Sequence, residues 1–246
     1  MVRLDMVDDR LSVRRMSAYL ARLLAEIDAI LLDFDGPVCS IFAGYPAPKV
    51  AAELVDVLRR QGVAVPSGLV TEPDPLEVLR WAGRTGDHAC TRAVEDALCA
   101  AERCAADSAA PTPYGREVIV AARQAGLPVA VVSNNSAEAV TAYLSAHRLT
   151  PHVLLVVGRA YADPKQMKPN PEPIRYAVRA LGLRPERTVL VGDSLSDIEG
   201  GCAAGVRVIG FANRPSKNEA FQQAGADCII GSMKTIASVL IEDREC

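Results

Sequence analysis

The sequence has few aromatic residues: 4% of its 246 residues are Phe, Trp or Tyr, although half are hydrophobic. A hydrophobic core must therefore consist of Ala, Val, Leu and Ile, which suit the continuous aliphatic strands of parallel sheets covered by helices. The sequence also has no excess of positive charge, because 27 Lys and Arg residues are set against 30 Asp and Glu. It lacks the basic stripe of nucleic-acid-binding proteins, so we expect no nucleic-acid partner.

Features of secreted and membrane proteins are missing as well. The seven cysteines contain no CxxC pair, which argues against a disulfide framework or a zinc site and indicates a reducing compartment. No apolar stretch approaches the roughly 20 residues that a membrane helix needs. The first residues, MVRLDMVDDR, carry acids where a secretory signal would be apolar. We therefore expect a cytoplasmic protein with no membrane partner.

Short aliphatic runs alternate with amphipathic segments over most of the chain. This alternation predicts βαβ units, hence an α/β fold with a Rossmann-like parallel sheet and helices on both faces. The expected strands are 29–34, 127–133, 152–158, 187–193, 206–211 and 227–230. The expected helices are 10–26, 47–61, 75–83, 88–106, 115–125, 136–147, 173–181, 195–204, a segment near 216–224 and one at the end of the chain.

The segment from residue 44 to residue 112 has no good strand, and Gly and Pro divide it into helical stretches. It predicts a small helical cap domain, 44–112, inserted after the first strand of a core formed by 1–43 and 113–246. The N-terminal helix of about 10–26 could cover the sheet edge or form a dimer contact, so a monomer and a homodimer both remain open. Trp81 is expected in the cap core. Five cap arginines are expected on solvated helix faces, with the alternative that one of them reaches a substrate anion: Arg59, Arg60, Arg80, Arg84 and Arg92.

Polar side chains follow the expected strands at one edge of the sheet. Ligands of open α/β sheets bind beyond the carboxyl ends of the strands, so residues that follow a strand are candidates for a site. The candidates are Asp33 and Asp35 after the first strand, Ser133 and Asn134 after the second, Lys168 in the loop after the third, and Asp193 and Asp197 after the fourth.

These residue types suit phosphate chemistry. Crowded carboxylates repel one another, and Mg²⁺, which prefers oxygen ligands and a substrate phosphate, relieves that repulsion. Asp33 and Asp35 share one face of an extended chain, so one can attack phosphorus while the other transfers protons. The backbone carbonyl of Asp35 can be a further metal ligand. The Ser133 hydroxyl and the Lys168 ammonium group supply donors for phosphate oxygens.

Each candidate also has a purely structural interpretation. Cys39, near the site in sequence, is expected to be a buried structural thiol, because thiolate activation needs a cation beside it. The structural alternatives are a solvated acid for Asp33 and Asp35, a solvated charge for Lys168, an N-cap of the helix 136–147 for Ser133, a first-turn acid for Asp197 and turns for Asn134 and Asn135.

Four segments together resemble the motifs of the haloacid dehalogenase-like hydrolase superfamily. They are DFDG at 33–36, VVSNN at 131–135, MKPNPEP at 167–173 and GDSLSD at 192–197, and they occur in the order that the family shows. The resemblance covers about 29–242. The insert is similar to the helical cap of the subgroup that contains phosphoglycolate phosphatases and β-phosphoglucomutase. One departure is Pro37, where the family usually has Thr after the glycine.

The resemblance implies a role for each candidate. Asp33 would be the nucleophile and would also touch the metal, and Asp35 would act as acid and base. The magnesium ion would be bound directly by Asp193, and directly or through water by Asp197. The phosphate ligands would be the Ser133 hydroxyl, the Asn134 amide and Lys168.

The resemblance therefore predicts a magnesium-dependent phosphatase that hydrolyses a small phosphorylated metabolite through an aspartyl phosphate. The carboxyl group of Asp35 favours phosphatases and phosphomutases, since family members that act on carbon–halogen bonds lack it. A phosphomutase of the β-phosphoglucomutase type is the alternative, because the same core residues would serve both reactions. A non-catalytic protein that binds a phosphorylated ligand is the second alternative.

Overall fold

The computed structural model describes residues 18–242. Six strands form a parallel sheet in the order β5-β4-β1-β6-β7-β8, and two further strands, β2 and β3, form a short antiparallel pair. The expected α/β fold with a parallel sheet is confirmed. The strands are β1 Ala29–Leu32, β2 Cys39–Ser40, β3 Ala110–Pro111, β4 Val129–Val132, β5 Leu155–Val157, β6 Thr188–Gly192, β7 Arg207–Phe211 and β8 Cys228–Ile230.

The central strands form because their small aliphatic side chains are buried on both faces. β1, β4 and β6 are buried along their whole length, as continuous apolar runs in parallel sheets are. Leu32 of β1 lies opposite Val131 of β4 and Val191 of β6. The chain therefore leaves these three strands at nearly the same level, and the residues that follow them meet at one edge of the sheet.

Helices cover both faces of this sheet. Alternate residues of β1 pack on opposite sides: Ile30 and Leu32 belong to the hydrophobic cluster with α1, α6, α7 and α11, and Leu31 to the cluster with α8, α9 and α10. The helices are α1 (18–25 of the described residues), α2 Ala47–Arg60, α3 Ser67–Val70, α4 Pro75–Arg84, α5 His88–Ala106, α6 Gly115–Gln124, α7 Ala137–Ala146, α8 Glu172–Ala180, α9 Leu195–Ala204, α10 Asn218–Gln223 and α11 Lys234–Glu242.

Helices α2 to α5 build a hydrophobic cluster of their own within the segment predicted as the cap. Leu54 and Leu58 of α2, Leu79 of α4 and Leu98 of α5 are among its buried residues. Trp81 packs against this cluster and is partly buried. The chain enters and leaves this helical insert through adjacent segments, so β2 pairs with β3 at its base. Neither strand of this pair was predicted, because Cys39–Ser40 and Ala110–Pro111 are too short to show a strand periodicity.

Other differences from the expected elements are small. The helix expected near 216–224 is a 3-10 turn, Pro215–Lys217, followed by α10. Of the N-terminal helix expected at 10–26, the part up to residue 17 lies outside the described residues, and 18–25 are helical as predicted. Cys39 is buried, as expected. Within residues 18–242 no helix has the length and apolar character needed to cross a bilayer.

Candidate active site

A cavity of about 360 Å³ lies at the carboxyl edge of the sheet, between the ends of the central strands and the first turns of α4. All seven candidate residues line this cavity. The fold therefore brings together residues that lie on four separate segments of the sequence. From the helical insert come Ala47, Pro73, Asp74, Pro75, Leu76 and Arg80, and the other lining residues are Asp33, Asp35, Phe42, Ser133, Asn134, Asn135, Lys168, Asp193, Ser194, Ser196 and Asp197.

Lys168 is buried between two carboxylates at the floor of this cavity. Its Nζ donates to Asp33 Oδ1 at 2.9 Å, to Asp197 Oδ1 at 2.5 Å and to the carbonyl oxygen of Val132 at 2.7 Å. The exposed fraction of the Lys168 side chain is 1%. Lys168 is therefore not a solvated charge. All three ammonium protons have acceptors, and the ion pairs join the loop after β5 to the end of β1 and to the first turn of α9.

Three carboxylates form a cluster that could hold a divalent cation. One carboxylate oxygen each from Asp33, Asp193 and Asp197 lie within 4.8 Å of one another. Lys217, which the sequence did not single out, donates to Asp193 Oδ2 at 2.7 Å and to its carbonyl oxygen at 2.5 Å. Hard cations such as Mg²⁺ favour oxygen donors of this kind, so the residues present fit the expected metal.

The cluster is electrostatically crowded. Burial is the largest cause that raises the pKa of Asp33 well above its usual range, and the negative charge of Asp197 is the second. The positive charge of Lys168 opposes this shift only in part. Burial also raises the pKa of Asp193, against the effect of Lys217. Burial disfavours the charge on Lys168, but Asp197 and Asp33 hold its pKa above the usual value. A bound cation would relieve the repulsion among all three carboxylates.

Asp35 occupies a different position from these three carboxylates. Its Oδ1 accepts a hydrogen bond from the Ile41 amide at 2.9 Å, and burial raises its pKa to about 6, with smaller contributions from Asp193 and Asp74. The Asp35 carboxyl group is not part of the three-carboxylate cluster. That the backbone carbonyl oxygen of Asp35 binds the metal stays a prediction. Gly36 has φ +111°, and a Cβ there would overlap the Asp193 carboxyl group, which explains the glycine.

Ser133 and Asn135 stabilise the loop after β4 by local hydrogen bonds. Ser133 Oγ donates to Asn135 Oδ1 and accepts from the Asn135 amide, both at 3.1 Å. The structural alternative for Ser133, an N-cap of the following helix, is wrong, because Ser136 caps α7 by accepting from the Ala139 amide. The chain needs three more residues after Ser133 before the helix begins, and this leaves the Ser133 hydroxyl at the cavity.

Asn134 and Arg80 fix the loop that carries Lys168. Asn134 Oδ1 accepts from the Lys168 amide at 2.8 Å, and Asn134 Nδ2 donates to the Lys168 carbonyl oxygen at 3.1 Å. Arg80 Nη2 donates to the same carbonyl oxygen at 3.0 Å, and its Nη1 pairs with Glu77 at 2.6 Å. Arg80 is thus not a solvated surface residue, since α4 docks against this loop.

Asp197 combines its site position with the structural role considered for it. It lies in the first turn of α9, where Ser194 is the N-cap, and the two side chains form a capping box. Its Oδ2 accepts from the Ser194 amide at 3.1 Å, and its Oδ1 accepts from Lys168. The helix terminus and Lys168 therefore both balance its charge.

A second set of buried charges, Glu95, Glu102 and Arg159, was missed from the sequence. Arg159 Nη2 lies 2.7 Å from Glu95 Oε1, and Arg159 Nη1 lies 2.9 Å from Glu102 Oε1. Both glutamates lie on the buried face of α5 among apolar residues. Acids at positions that the helical period assigns to a core are the signal that could have found them.

Comparisons with known proteins agree with the motifs. Residues 89–211, half of the chain, match the family model for haloacid dehalogenase-like hydrolase. The chain is 32% identical over 126 residues to pyrophosphatase PpaX of Halalkalibacterium halodurans, covering 50% of this chain and 57% of the relative. It is 27% identical over 128 residues to phosphoglycolate phosphatase of Escherichia coli K12, covering 52% of this chain and 50% of the relative. The chain thus spans about half the length of the curated relatives it matches.

Solved structures show the same fold. A hydrolase from Pseudomonas syringae superposes with a TM-score of 0.66 at 15% identity, covering 87% of this chain and 98% of that one. CbbY from Rhodobacter sphaeroides, solved in complex with phosphate, superposes with a TM-score of 0.60 at 23% identity, covering 84% and 95%. The family match confirms the resemblance that the sequence motifs carry, and the solved structures confirm the fold. The chain belongs to the haloacid dehalogenase-like hydrolase family.

Proposed function

We propose that this protein is a magnesium-dependent phosphatase that hydrolyses a small phosphate monoester through a phosphorylated Asp33. The observation that carries the proposal is the cluster of Asp33, Asp193 and Asp197 around the buried ammonium group of Lys168. Carboxylates that burial places so close together need a cation, and a phosphoryl group transferred to Asp33 needs the same compensation of charge. The phosphatase names of the two curated relatives support this choice of reaction.

The chain supplies a group for each part of the reaction. Asp33 attacks phosphorus, the oxygen of the leaving group departs, and an aspartyl phosphate forms. Lys168 balances negative charge on Asp33 and on the transferred group. Asp35 donates a proton to the leaving oxygen and then takes one from the water that attacks the aspartyl phosphate. The Ser133 hydroxyl and the Asn134 amide hold phosphate oxygens.

Asp33 and Asp193 would hold magnesium directly. Both oxygens of Asp197 already accept hydrogen bonds, from Lys168 and from Ser194, so Asp197 would hold the ion through water while it orients Lys168. When bound, magnesium would supply positive charge for the phosphate oxygens and restrict their orientation. Lys217, which holds Asp193 through two hydrogen bonds, would orient that ligand.

The helical insert, residues 44–112, would act as the cap that encloses the leaving group. Asp74, the N-cap of α4, and Leu76 line the cavity from this side, and Phe42 adds an apolar wall. Among the described residues that line the cavity, Arg80 is the single cation from the cap, and it is already paired with Glu77. An anionic leaving group would meet the Asp74 carboxylate with no unpaired cation among those lining residues of the cap to balance it. We therefore propose an uncharged leaving group that bears hydroxyl donors.

Release of p-nitrophenol from p-nitrophenyl phosphate tests the reaction class. We expect activity with magnesium, loss of activity with EDTA, and loss in the Asp33→Asn variant. A panel of glycerol phosphate, phosphoglycolate and pyrophosphate then tests the leaving group, and we expect glycerol phosphate to be preferred. Magnesium-dependent turnover that survives Asp33→Asn would exclude Asp33 as the nucleophile. Preference for phosphoglycolate would exclude the proposed leaving group while leaving the reaction class intact.

A further inference from the structure

Helix α5 carries two glutamates that point away from solvent and toward the core. Glu95 and Glu102 lie about two helical turns apart, hence on the same face of the helix. The exposed fractions of their side chains are 2% and 0%, and that of Arg159, which lies between them, is 0%. Burial of three charges is costly unless each is paired and hydrogen-bonded, so the bonds that they make indicate what this cluster does.

Glu102 binds the loop after β4 with both of its oxygens. Its Oε1 accepts from Asn135 Nδ2 at 3.1 Å, and its Oε2 accepts from the Ser136 amide at 2.9 Å. Ser136 is the N-cap of α7, where a helix favours negative charge. Both contacts need an acceptor, and only a carboxylate offers two acceptor oxygens and no donor.

Arg159 binds the same loop through its guanidinium group and its backbone amide. Its Nη1 donates to the Asn134 carbonyl oxygen at 2.6 Å, and its amide donates to the Asn135 carbonyl oxygen at 2.9 Å. Arg159 Nη1 also donates to Glu102 Oε1 at 2.9 Å. The three consecutive residues 134–136 are therefore all bonded to Glu102 or Arg159.

Glu95 differs from Glu102 in one respect. It pairs with Arg159 and accepts from Cys99 Sγ at 3.2 Å, and none of the hydrogen bonds of the described residues joins it to the loop 133–136. The two glutamates thus share helix, burial and ionic partner, and only Glu102 touches the loop that carries Ser133 and Asn134.

We infer that Glu102 is a positioning residue for the phosphate-binding loop 133–136, and that Arg159 completes its hold on the loop. The inference rests on the proposed function for the meaning of that loop. Through Glu102, a helix of the insert sets the position of the Ser133 hydroxyl and the Asn134 amide, which would contact phosphate oxygens. Loss of Glu102 would weaken binding of the phosphoryl group without removing any group that reacts.

The test compares Glu102→Gln with Glu95→Gln. A glutamine at 102 turns its NH₂ group toward a donor, either the Ser136 amide or Asn135 Nδ2, and displaces the loop. With p-nitrophenyl phosphate and magnesium, we expect KM and the inhibition constant of inorganic phosphate to rise about tenfold in Glu102→Gln, with kcat changed far less. In Glu95→Gln both constants should stay within about twofold of the wild type, although thermal stability falls in both variants.

Amide hydrogen exchange of Ser136 gives a readout that does not depend on catalysis. We expect faster exchange in Glu102→Gln than in Glu95→Gln, because only the first variant removes the acceptor of that amide or displaces the loop that carries it. A wild type that neither turns over nor binds phosphate would refute the proposed function, and the exchange rates would still show whether Glu102 holds the loop. If Glu102→Gln does not fold, Glu102→Asp keeps the charge but is too short to reach both donors.

Equal effects of the two glutamine variants on phosphate binding and on Ser136 exchange would overturn the inference. That result would mean that the buried charges only stabilise the fold. A fall in kcat with unchanged KM and phosphate inhibition in Glu102→Gln would overturn it as well.

Discussion

The ammonium nitrogen of Lys168 lies 2.9 Å from Asp33 Oδ1 at the floor of the cavity. The two residues are far apart in sequence, and the pair is almost inaccessible to solvent: the exposed fractions of the side chains are 1% and 11%. Without Lys168, the Asp33 and Asp197 carboxylates would be buried with no cation beside them. The same pair puts a positive charge beside the proposed nucleophile, so its disruption should affect both stability and turnover.

Replacement of Asp33 by Asn should lower kcat by about 10³-fold or more, because the amide cannot form the aspartyl phosphate. The amide oxygen can still accept from Lys168, so the fold and the affinity for inorganic phosphate should be nearly unchanged. Single-turnover kinetics and phosphate inhibition measure the two effects. Residual turnover near the wild-type rate would exclude Asp33 as the nucleophile.

The metal-free protein should lose stability as the pH rises. Burial and Asp197 raise the pKa of Asp33 in the fold, so the folded state binds more protons than the unfolded state once the pH exceeds the ordinary pKa of an aspartate. The free energy of unfolding therefore decreases as the pH rises through the range in which the Asp33 carboxyl group is ionised in the unfolded chain but still binds a proton in the folded protein. Thermal unfolding in EDTA at about pH 5 and about pH 8 measures this loss.

The Asp33→Asn variant is the control for that pH dependence. It should lose less stability over the same pH range, and it should unfold at a higher temperature than the wild type at about pH 8 in EDTA. Magnesium should raise the melting temperature of the wild type more than that of the variant. Equal pH slopes for the two proteins would mean that Asp33 is not the group responsible.

Removal of the charge at Lys168 should destabilise the protein at neutral pH by about 3–5 kcal/mol, because Lys168→Met leaves two buried carboxylates without their cation. Turnover should be lost as well. Lys165→Met is the matched control: Lys165 lies in the same loop and is exposed, and its replacement should cost less than about 0.5 kcal/mol. Urea unfolding of both variants checks the prediction, which fails if the two costs are similar.

The rate should depend on the protonation of Asp35, whose pKa burial raises to about 6. As a general acid it must carry a proton, so kcat/KM for glycerol phosphate should fall as the pH rises through about 6. p-Nitrophenolate leaves without a proton, so the decline should be weaker for p-nitrophenyl phosphate. Asp35→Asn should abolish the difference between the two pH profiles, and profiles that already coincide in the wild type would exclude Asp35 as the acid.

Neutralisation of Asp74 should change substrate preference. Asn is as good an N-cap as Asp, so Asp74→Asn keeps the start of α4 and removes the negative charge from the cavity wall. We expect kcat/KM for phosphoglycolate to rise about three- to tenfold, as the loss of a like charge near the surface allows, with little change for glycerol phosphate. Asp87→Asn is the matched control, since Asp87 caps α5 and does not line the cavity. A similar rise in both variants would contradict the role of Asp74.

Local sequence patterns determined most of the fold. The aliphatic runs around Leu31, Val131 and Val191 identified the central strands, since a buried parallel strand needs continuous apolar residues. The exceptions are β2, β3, α3 and the divided helix near 216–224, all of them segments of two to six residues. In such short segments tertiary contacts outweigh the local preference.

The candidate site was also largely predictable, because its residues follow strands whose carboxyl ends must share one edge of a parallel sheet. The sequence could not show what each side chain contacts. From the sequence Ser133 could be a helix cap, but α7 begins at Ala137 and its N-cap is Ser136. Arg80 looked like a surface charge, and only the docking of α4 against the loop of Lys168 gives it a partner.

The sequence by itself determined the strand–helix order, the four motifs and the types of chemical group at the sheet edge, because each depends on residues close together in the chain. Tertiary structure alone decided which buried charges pair with one another. Lys168 lies between Asp33 and Asp197, and Arg159 lies between Glu95 and Glu102. A buried charge finds its partner by the packing of distant elements, and the energy of that pairing depends on separation and burial. Local sequence specifies neither quantity.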